Sequence, residues 1–255
     1  MDGSHRNTCD GVASPLPVSI DQLEALIHVG RVPDACPYLD DRVATFDFAY
    51  GHLGPAVYEA LLARGYRRNG EYIYKPVCRK CDECRTLRVI VPEFRMSKSQ
   101  RRTRNRGMRR FHVEIGKPAV SDEKVRLYGA YLRYQHGDSD NDLDRAGYER
   151  FLVDTCLGGA TLELCVYDKD HLAGVGVVDR LENALSSVYF YFDPACAASS
   201  PGVFSALYEI ALAREWGLRY YYLGYYIAAC PSMAYKDHYR PCEVRRPDAT
   251  WERRA

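Results

Sequence analysis

Leu172-Ala173-Gly174-Val175-Gly176-Val177-Val178-Asp179-Arg180 and, after Leu181-Glu182-Asn183, Ala184-Leu185-Ser186-Ser187-Val188-Tyr189-Phe190-Tyr191-Phe192 form the stretch that decides the fold class. Two runs rich in β-branched and aromatic residues, of strand length and joined by a short polar turn, read as antiparallel neighbours. A third run, Leu162–Tyr167, precedes them across Asp168-Lys169-Asp170 and completes a meander. Upstream, helical patterns cover about 122–136 and 142–156. Downstream, Asp193–Ser200 is a loop. Pro201–Trp216 then reads as a helix with Ser200 as N-cap, Pro201 at its first position and Gly217 as its stop. The strand Arg219-Tyr220-Tyr221-Tyr222-Leu223 follows it.

Helix, helix, meander, helix, strand is the element order of a GNAT-like acyltransferase domain, an architecture that carries acyl donors at the splayed centre of its sheet. The order alone does not fix the chemistry. The first half reads differently. Residues 1–16, rich in Ser, Gly, Pro and Asp, are expected to be disordered. Arg42–Phe48 alternates as an extended segment, Pro55–Arg64 is a helix stopped by Gly65, and Tyr66–Tyr74 is a hairpin turning at Asn69-Gly70. A cysteine cluster, the strand Leu87–Val91 and a basic segment come next. The expected organisation is α+β, with a smaller cysteine-bearing N-terminal domain over 17–110 and the GNAT-like domain over 111–255.

The 255 residues, 47% hydrophobic and 27% charged, suffice for a sizeable core in one or two domains. Met1–Pro17 has no apolar segment behind a basic start, and no apolar run approaches the ~18 residues of a membrane helix. A soluble, cytoplasmic protein without a membrane partner is expected, with most of its 10 cysteines reduced. The net charge of +1 conceals an asymmetry. Eight of the 35 Lys/Arg lie between Arg95 and Arg110 with no acid among them, leaving 27 against 34 Asp/Glu elsewhere. One concentrated basic segment on an otherwise acidic chain points to a polyanion contact.

Three segments carry chemistry. Cys78-Arg79-Lys80-Cys81-Asp82-Glu83-Cys84 has two-residue gaps that let thiolates converge on zinc or an iron–sulfur cluster, with Cys36 as the fourth ligand; the alternative is a set of reduced thiols under a loop. In Ser97-Lys98-Ser99-Gln100-Arg101-Arg102-Thr103-Arg104-Asn105-Arg106 the arginines suit phosphate and the amide and hydroxyls suit sugar and phosphate. A solvated face is the plainer reading of any charge run. Leu223–Pro241 mixes aromatics and cations so densely that a ligand surface accounts for it better than core packing.

Together these segments resemble the bacterial aspartate/glutamate leucyltransferases and the related arginyl-tRNA–protein transferases. The matching pieces are Cys36-Pro37-Tyr38-Leu39, Tyr74-Lys75-Pro76-Val77-Cys78 with Cys81 and Cys84, Arg88-Val89, and Ser97–Arg102. Further on stand Tyr191-Phe192-Asp193-Pro194, the loop–helix from Pro201-Gly202 to Gly217-Leu218, Leu223-Gly224-Tyr225-Tyr226-Ile227, and Met233-Ala234-Tyr235-Lys236 with Tyr239-Arg240-Pro241. They run in order over roughly residues 33–241. Two positions depart from the family pattern: Thr86-Leu87 replaces a proline after the third cysteine's neighbour, and Tyr226 replaces a tryptophan.

The resemblance implies transfer of an amino acid from aminoacyl-tRNA to the N-terminus of a protein marked for degradation by the N-end rule, with no DNA partner and no required cofactor. It implies catalytic roles for Tyr235, Lys236 and His238, and substrate contacts from Arg88, Gly202, Tyr225, Tyr226 and Arg240. Lys98, Gln100, Arg101, Arg102, Arg104 and Arg106 would hold the tRNA. The donor ester is already activated, so orientation, oxyanion stabilisation and proton management suffice, and no Ser/His/Asp or Cys/His nucleophile set is evident. An acceptor beginning with Asp or Glu needs a cation in its pocket, preferably an arginine. Leucine is the expected donor residue and arginine the alternative. An acetyl-CoA-dependent N-acetyltransferase and a non-enzymatic nucleic-acid binder leave, respectively, the arginine segment and the GNAT-like half unexplained.

Overall fold

The computed structural model describes residues 30–40, 42–137 and 144–255; the start expected to be disordered, residues 1–16, lies outside them. The described residues build two sheets. The smaller is fully antiparallel in the order β1-β2-β4-β3, from β1 (Gly30–Ala35), β2 (Val43–Tyr50), β3 (Arg67–Asn69) and β4 (Tyr72–Pro76). Asn69 pairs with Tyr72, so the hairpin turns through Gly70-Glu71, one position beyond the expected Asn-Gly. Gly70 supplies the positive φ, +59°, that such a two-residue loop needs.

The larger sheet has eight strands in the order β12-β11-β5-β10-β9-β8-β7-β6. They are β5 (Arg85–Ile90), β6 (Phe111–Gly116), β7 (Thr161–Asp168), β8 (His171–Arg180), β9 (Ala184–Phe192), β10 (Tyr220–Tyr226), β11 (Cys242–Arg245) and β12 (Trp251–Arg254). The expected meander is β7-β8-β9. The run Leu172–Asp179 of β8 is buried throughout, which explains why it reads as a continuous apolar stretch. β5 comes from the segment expected to form a separate domain over 17–110, yet it pairs with both β10 and β11. Residue 110 is therefore not a break in the sheet.

Helices cover both faces. Tyr221 of β10 and Phe190 of β9 face the helix Pro201–Glu215. Their sequence neighbours Tyr222 and Tyr191 face the opposite way, towards the helices Pro55–Ala63 and Asp122–His136. The basic segment is also a helix, Lys98–Arg110, opened by a capping box between Ser97 and Gln100. It docks on Pro201–Glu215 where Gly107 lies flat on the Phe204 ring. Two expectations need correcting. The helix expected over 142–156 is a short α-turn, Arg145–Tyr148, running into a π-helical turn, Glu149–Val153, and residues 142–143 lie outside the described chain. Ser200 takes the left-handed conformation (φ +55°), in which its hydroxyl makes no cap hydrogen bond, so Pro201 alone opens that helix. Among the described residues no helix is long and apolar enough to cross a membrane.

Candidate active site

Among the described residues β9 and β10 are the only parallel neighbours in the larger sheet, and they pair over three positions, Ala184–Ser186 against Tyr220–Tyr222. Beyond these the strands part, although β9 continues to Phe192 and β10 to Tyr226. Burial follows the separation: Ala184, Leu185 and Ser186 are buried, whereas Ser187 to Phe190 are half-exposed. On β10 the divergence begins at a bulge against β5 between Tyr222 and Gly224. Gly224 sits at φ +92°, which favours glycine, and a Cβ there would stand 3.3 Å from the Lys236 amine and 3.8 Å from the Arg67 guanidinium.

Those two cations occupy the opening. Arg67, at the start of β3, donates to the Ser186 hydroxyl at 3.2 Å and to the Ser187 carbonyl. Lys236, in the short 3-10 helix Tyr235–His238, donates to the Tyr225 carbonyl at 2.8 Å. Arg67 is 5% and Lys236 8% exposed, and neither is paired with a carboxylate among the described residues. Burial, reinforced by the neighbouring Arg67 charge, pushes the Lys236 amine down to about 7. Two adjacent buried cations held only by neutral acceptors are a costly arrangement that an anionic ligand would relieve. Tyr225 closes the wall, its hydroxyl on the Gly65 carbonyl at 2.8 Å and its ring edge-on to Tyr74.

Of the residues expected in the site, Lys236 and Tyr225 lie beside the opening, and Arg67 joins them from 158 residues upstream of Tyr225; Tyr235 is exposed in the turn next to Lys236. Other expected site residues are engaged elsewhere. Arg88 is stacked between the rings of Tyr220 and Trp251, 3.8 Å from each, and donates to Glu243 at 2.7 Å and to the Tyr222 hydroxyl. It ties four strands together. Arg240 is exposed and donates to Asp237 and to the Ala255 carbonyl. His238 is exposed and contributes its carbonyl to Gln100. Tyr226 lies under the Arg254 guanidinium at 5.0 Å. A Cβ at Gly202 would meet nothing within 4 Å, so the open space there does not depend on glycine.

The basic helix divides into two sides. Gln100, expected to touch tRNA, is buried, accepts from the Ser97 amide and donates to His238; its hydrogen bonds are used in capping and docking. Lys98, Arg101, Arg102 and Arg106 are exposed and Arg104 half-buried, and among the described residues none has an ion-pair partner. Arg110, at the end, is held by Asp168 at 2.7 Å and by Ser199.

The four cysteines share one neighbourhood. Cys84 is pushed up to about 12 by burial and then by Cys36, Cys78 and Cys81. The Cys78 sulfur accepts from the Thr45 amide and the Cys81 sulfur from Arg42. The soft donor set suits a thiophilic metal, but among the described residues no three His, Cys, Asp or Glu side chains are grouped to hold an ion. In the same loop Tyr38 is half-buried, and desolvation, then Tyr74 and Cys84 nearby, raise its phenol.

Comparison with known proteins bears on this geometry. Residues 34–102 match the N-terminal part, and residues 123–246 the C-terminal part, of the arginine-tRNA-protein transferases. The chain belongs to this family. It is accordingly an aminoacyl-tRNA–protein transferase. An aspartate/glutamate leucyltransferase of Campylobacter jejuni is 36% identical over 225 residues, covering 86% of this chain and 93% of that protein. One from Hahella chejuensis is 34% identical over 230 residues, with 88% and 96% covered. The structure of L-PGS from Bacillus licheniformis is a distant likeness, with 12% identity, a TM-score of 0.46, and coverage of 85% of this chain and 81% of that one. Arg67 escaped the sequence reading because a single arginine in a hairpin carries no pattern; its meaning lies in contacts to Ser186 and Ser187.

Proposed function

We infer that this transferase moves leucine from Leu-tRNA to the N-terminal Asp or Glu of a cytoplasmic protein and so marks it for degradation by the N-end rule. The single observation that carries the reading is the pair of buried, carboxylate-free cations Arg67 and Lys236 at the parting strands. They offer a fork and a point charge to the acceptor's side-chain carboxylate, and the acceptor's α-amine then lies over the gap between β9 and β10. In the GNAT-like arrangement that gap receives the acyl donor, here the aminoacyl ester at the tRNA 3′ end. The exposed cations of the helix Lys98–Arg110 serve the adjoining phosphates. Attack of the amine on the ester carbon releases the ribose oxygen directly, with Tyr235 at the edge of the site. Metal or cluster binding by Cys36, Cys78, Cys81 and Cys84 is assigned no step. The names of the relatives support leucine as donor residue, and the family description keeps arginine as the second reading.

The test supplies labelled Leu-tRNA or Arg-tRNA separately to peptides beginning with Asp, Glu, Arg or Ala. Label on the Asp and Glu peptides from Leu-tRNA is expected. Label from Arg-tRNA alone changes the donor, and label on the Ala peptide removes the role given to Arg67 and Lys236.

A further inference from the structure

Arg67 shares its side of the small sheet with a row of aromatic rings. The strand register sets it opposite Tyr74 of β4, and Tyr74 opposite Phe48 of β2. Side chains alternate along a strand, so Phe46 and Tyr50 of β2 and Tyr72 of β4 lie on this same face. Their sequence neighbours take the other side: Ala49 and Ile73 pack with Tyr58, Leu61 and Tyr222, and Arg68 is bound to Asp179. Phe46, Phe48 and Tyr74 contact one another at 6.0–6.2 Å between ring centroids, and Tyr50 meets Tyr72 at 5.3 Å. Tyr74 also meets Tyr225 at 6.2 Å, which makes the rings continuous with the wall of the opening. Tyr50 is 56% and Tyr72 52% exposed, and Phe46 and Phe48 are half-buried. Aromatic surface left in solvent beside a site is contact surface.

Charge and reach select the occupant. The charge bonded to the outer rings is negative, since the Tyr50 hydroxyl donates to the Glu71 carboxylate at 3.1 Å. That disfavours phosphate. The exposed cations of the helix Lys98–Arg110 belong to the opposite side of the large sheet: this helix docks on Pro201–Glu215, on the Tyr221 side, whereas the small sheet packs on the Tyr222 side. Strand spacing of ~4.8 Å and a rise of ~3.4 Å per residue put Tyr72 about 8 Å and Tyr50 about 12 Å from Arg67, backbone to backbone. An extended chain whose first carboxylate sits on Arg67 covers that span with roughly its third to fifth residues.

We propose that the face formed by Phe48, Tyr50, Tyr72 and Tyr74 binds the acceptor protein just behind its N-terminal residue, and selects apolar or basic side chains there over acidic ones. The proposal rests on the reading that Arg67 and Lys236 hold the carboxylate of the first residue. The rings give area to apolar side chains and their faces attract cations, while Glu71 offers Lys or Arg an ion-pair partner. Recognition then depends on the segment that follows the acidic residue as well as on that residue.

The test measures binding of labelled peptides to the full chain by fluorescence anisotropy without tRNA, and KM in transfer from Leu-tRNA. The peptides begin Asp-Ala and continue with Leu-Arg-Leu, Gly-Ser-Gly or Glu-Glu-Glu. Wild type should favour the first over the second by about 10–100-fold and bind the third most weakly. Tyr50→Ser combined with Tyr72→Ser should remove most of that preference without raising the KM for Leu-tRNA; both side chains are exposed, so the core is untouched. Glu71→Lys should bring the Glu-Glu-Glu peptide level with the Gly-Ser-Gly peptide. Equal wild-type affinities, or a preference that survives the double substitution, overturn the proposal. A raised KM for Leu-tRNA in the double variant also overturns it, because the face would then serve RNA. Preferential binding without any transfer would uphold the face and refute the leucyltransfer reading instead.

Discussion

Replacing Lys236 by Met is the sharpest single perturbation of the cation pair, because it should weaken function without weakening the fold. The amine is pushed from its ordinary 10.5 to about 7. Holding it in the folded protein at neutral pH therefore costs about 4 kcal/mol relative to an unburied lysine. Met removes that cost and keeps most of the volume, but leaves the Tyr225 carbonyl without its donor, a loss of about 1–3 kcal/mol. The net expectation at pH 7 is equal or greater stability in urea denaturation. The pH dependence gives the sign. Between about 7 and 10.5 the unfolded chain keeps the Lys236 proton that the folded chain has lost. Wild-type stability should therefore gain about 1.4 kcal/mol per pH unit from this group, a gain absent in the variant. Activity should move the other way. Losing one charge-assisted bond to the acceptor carboxylate is worth about 1.5–3 kcal/mol, which raises the KM for an Asp peptide by roughly 10–150-fold, with the KM for tRNA unchanged. In the wild type the same KM should climb as the pH passes 7 and the amine loses its charge. An unchanged KM, or a destabilised variant that keeps the pH-dependent gain, would refute the reasoning.

Three further outcomes are expected. Asp179→Asn should cost about 3–5 kcal/mol in urea denaturation, because it strands the fully buried Arg68 that locks β3 onto β8 through a 2.8 Å ion pair. Gly107→Ala would place a Cβ 2.1 Å from the Phe204 ring; about 1–3 kcal/mol of stability should be lost and largely recovered by adding Phe204→Leu. Arg101→Ala and Arg102→Ala, on the exposed side of the basic helix, should each raise the KM for Leu-tRNA and reduce the slope of log affinity against log salt by about one, leaving peptide KM unchanged.

The sequence by itself determined the meander, the helix that follows it and the family, because these are encoded in local periodicity and in ordered motifs. Leu172–Val178 is apolar at every position since β8 is covered on both faces, and the Pro201-to-Gly217 punctuation needs only neighbouring residues. Lys236 and Tyr225 were legible for the same reason: they belong to the dense run after β10. Position in a motif could not separate a free side chain from an engaged one. Arg88 and Gln100 carry the right chemistry for a ligand, but stacking on Trp251 and capping at Ser97 claim them first. Only the tertiary structure brought Arg67 beside Lys236 and placed β5 inside the large sheet. The physical reason is distance along the chain. A buried charge is given its role by the groups that enclose it, and those around Arg67 come from strands about 120–160 residues away.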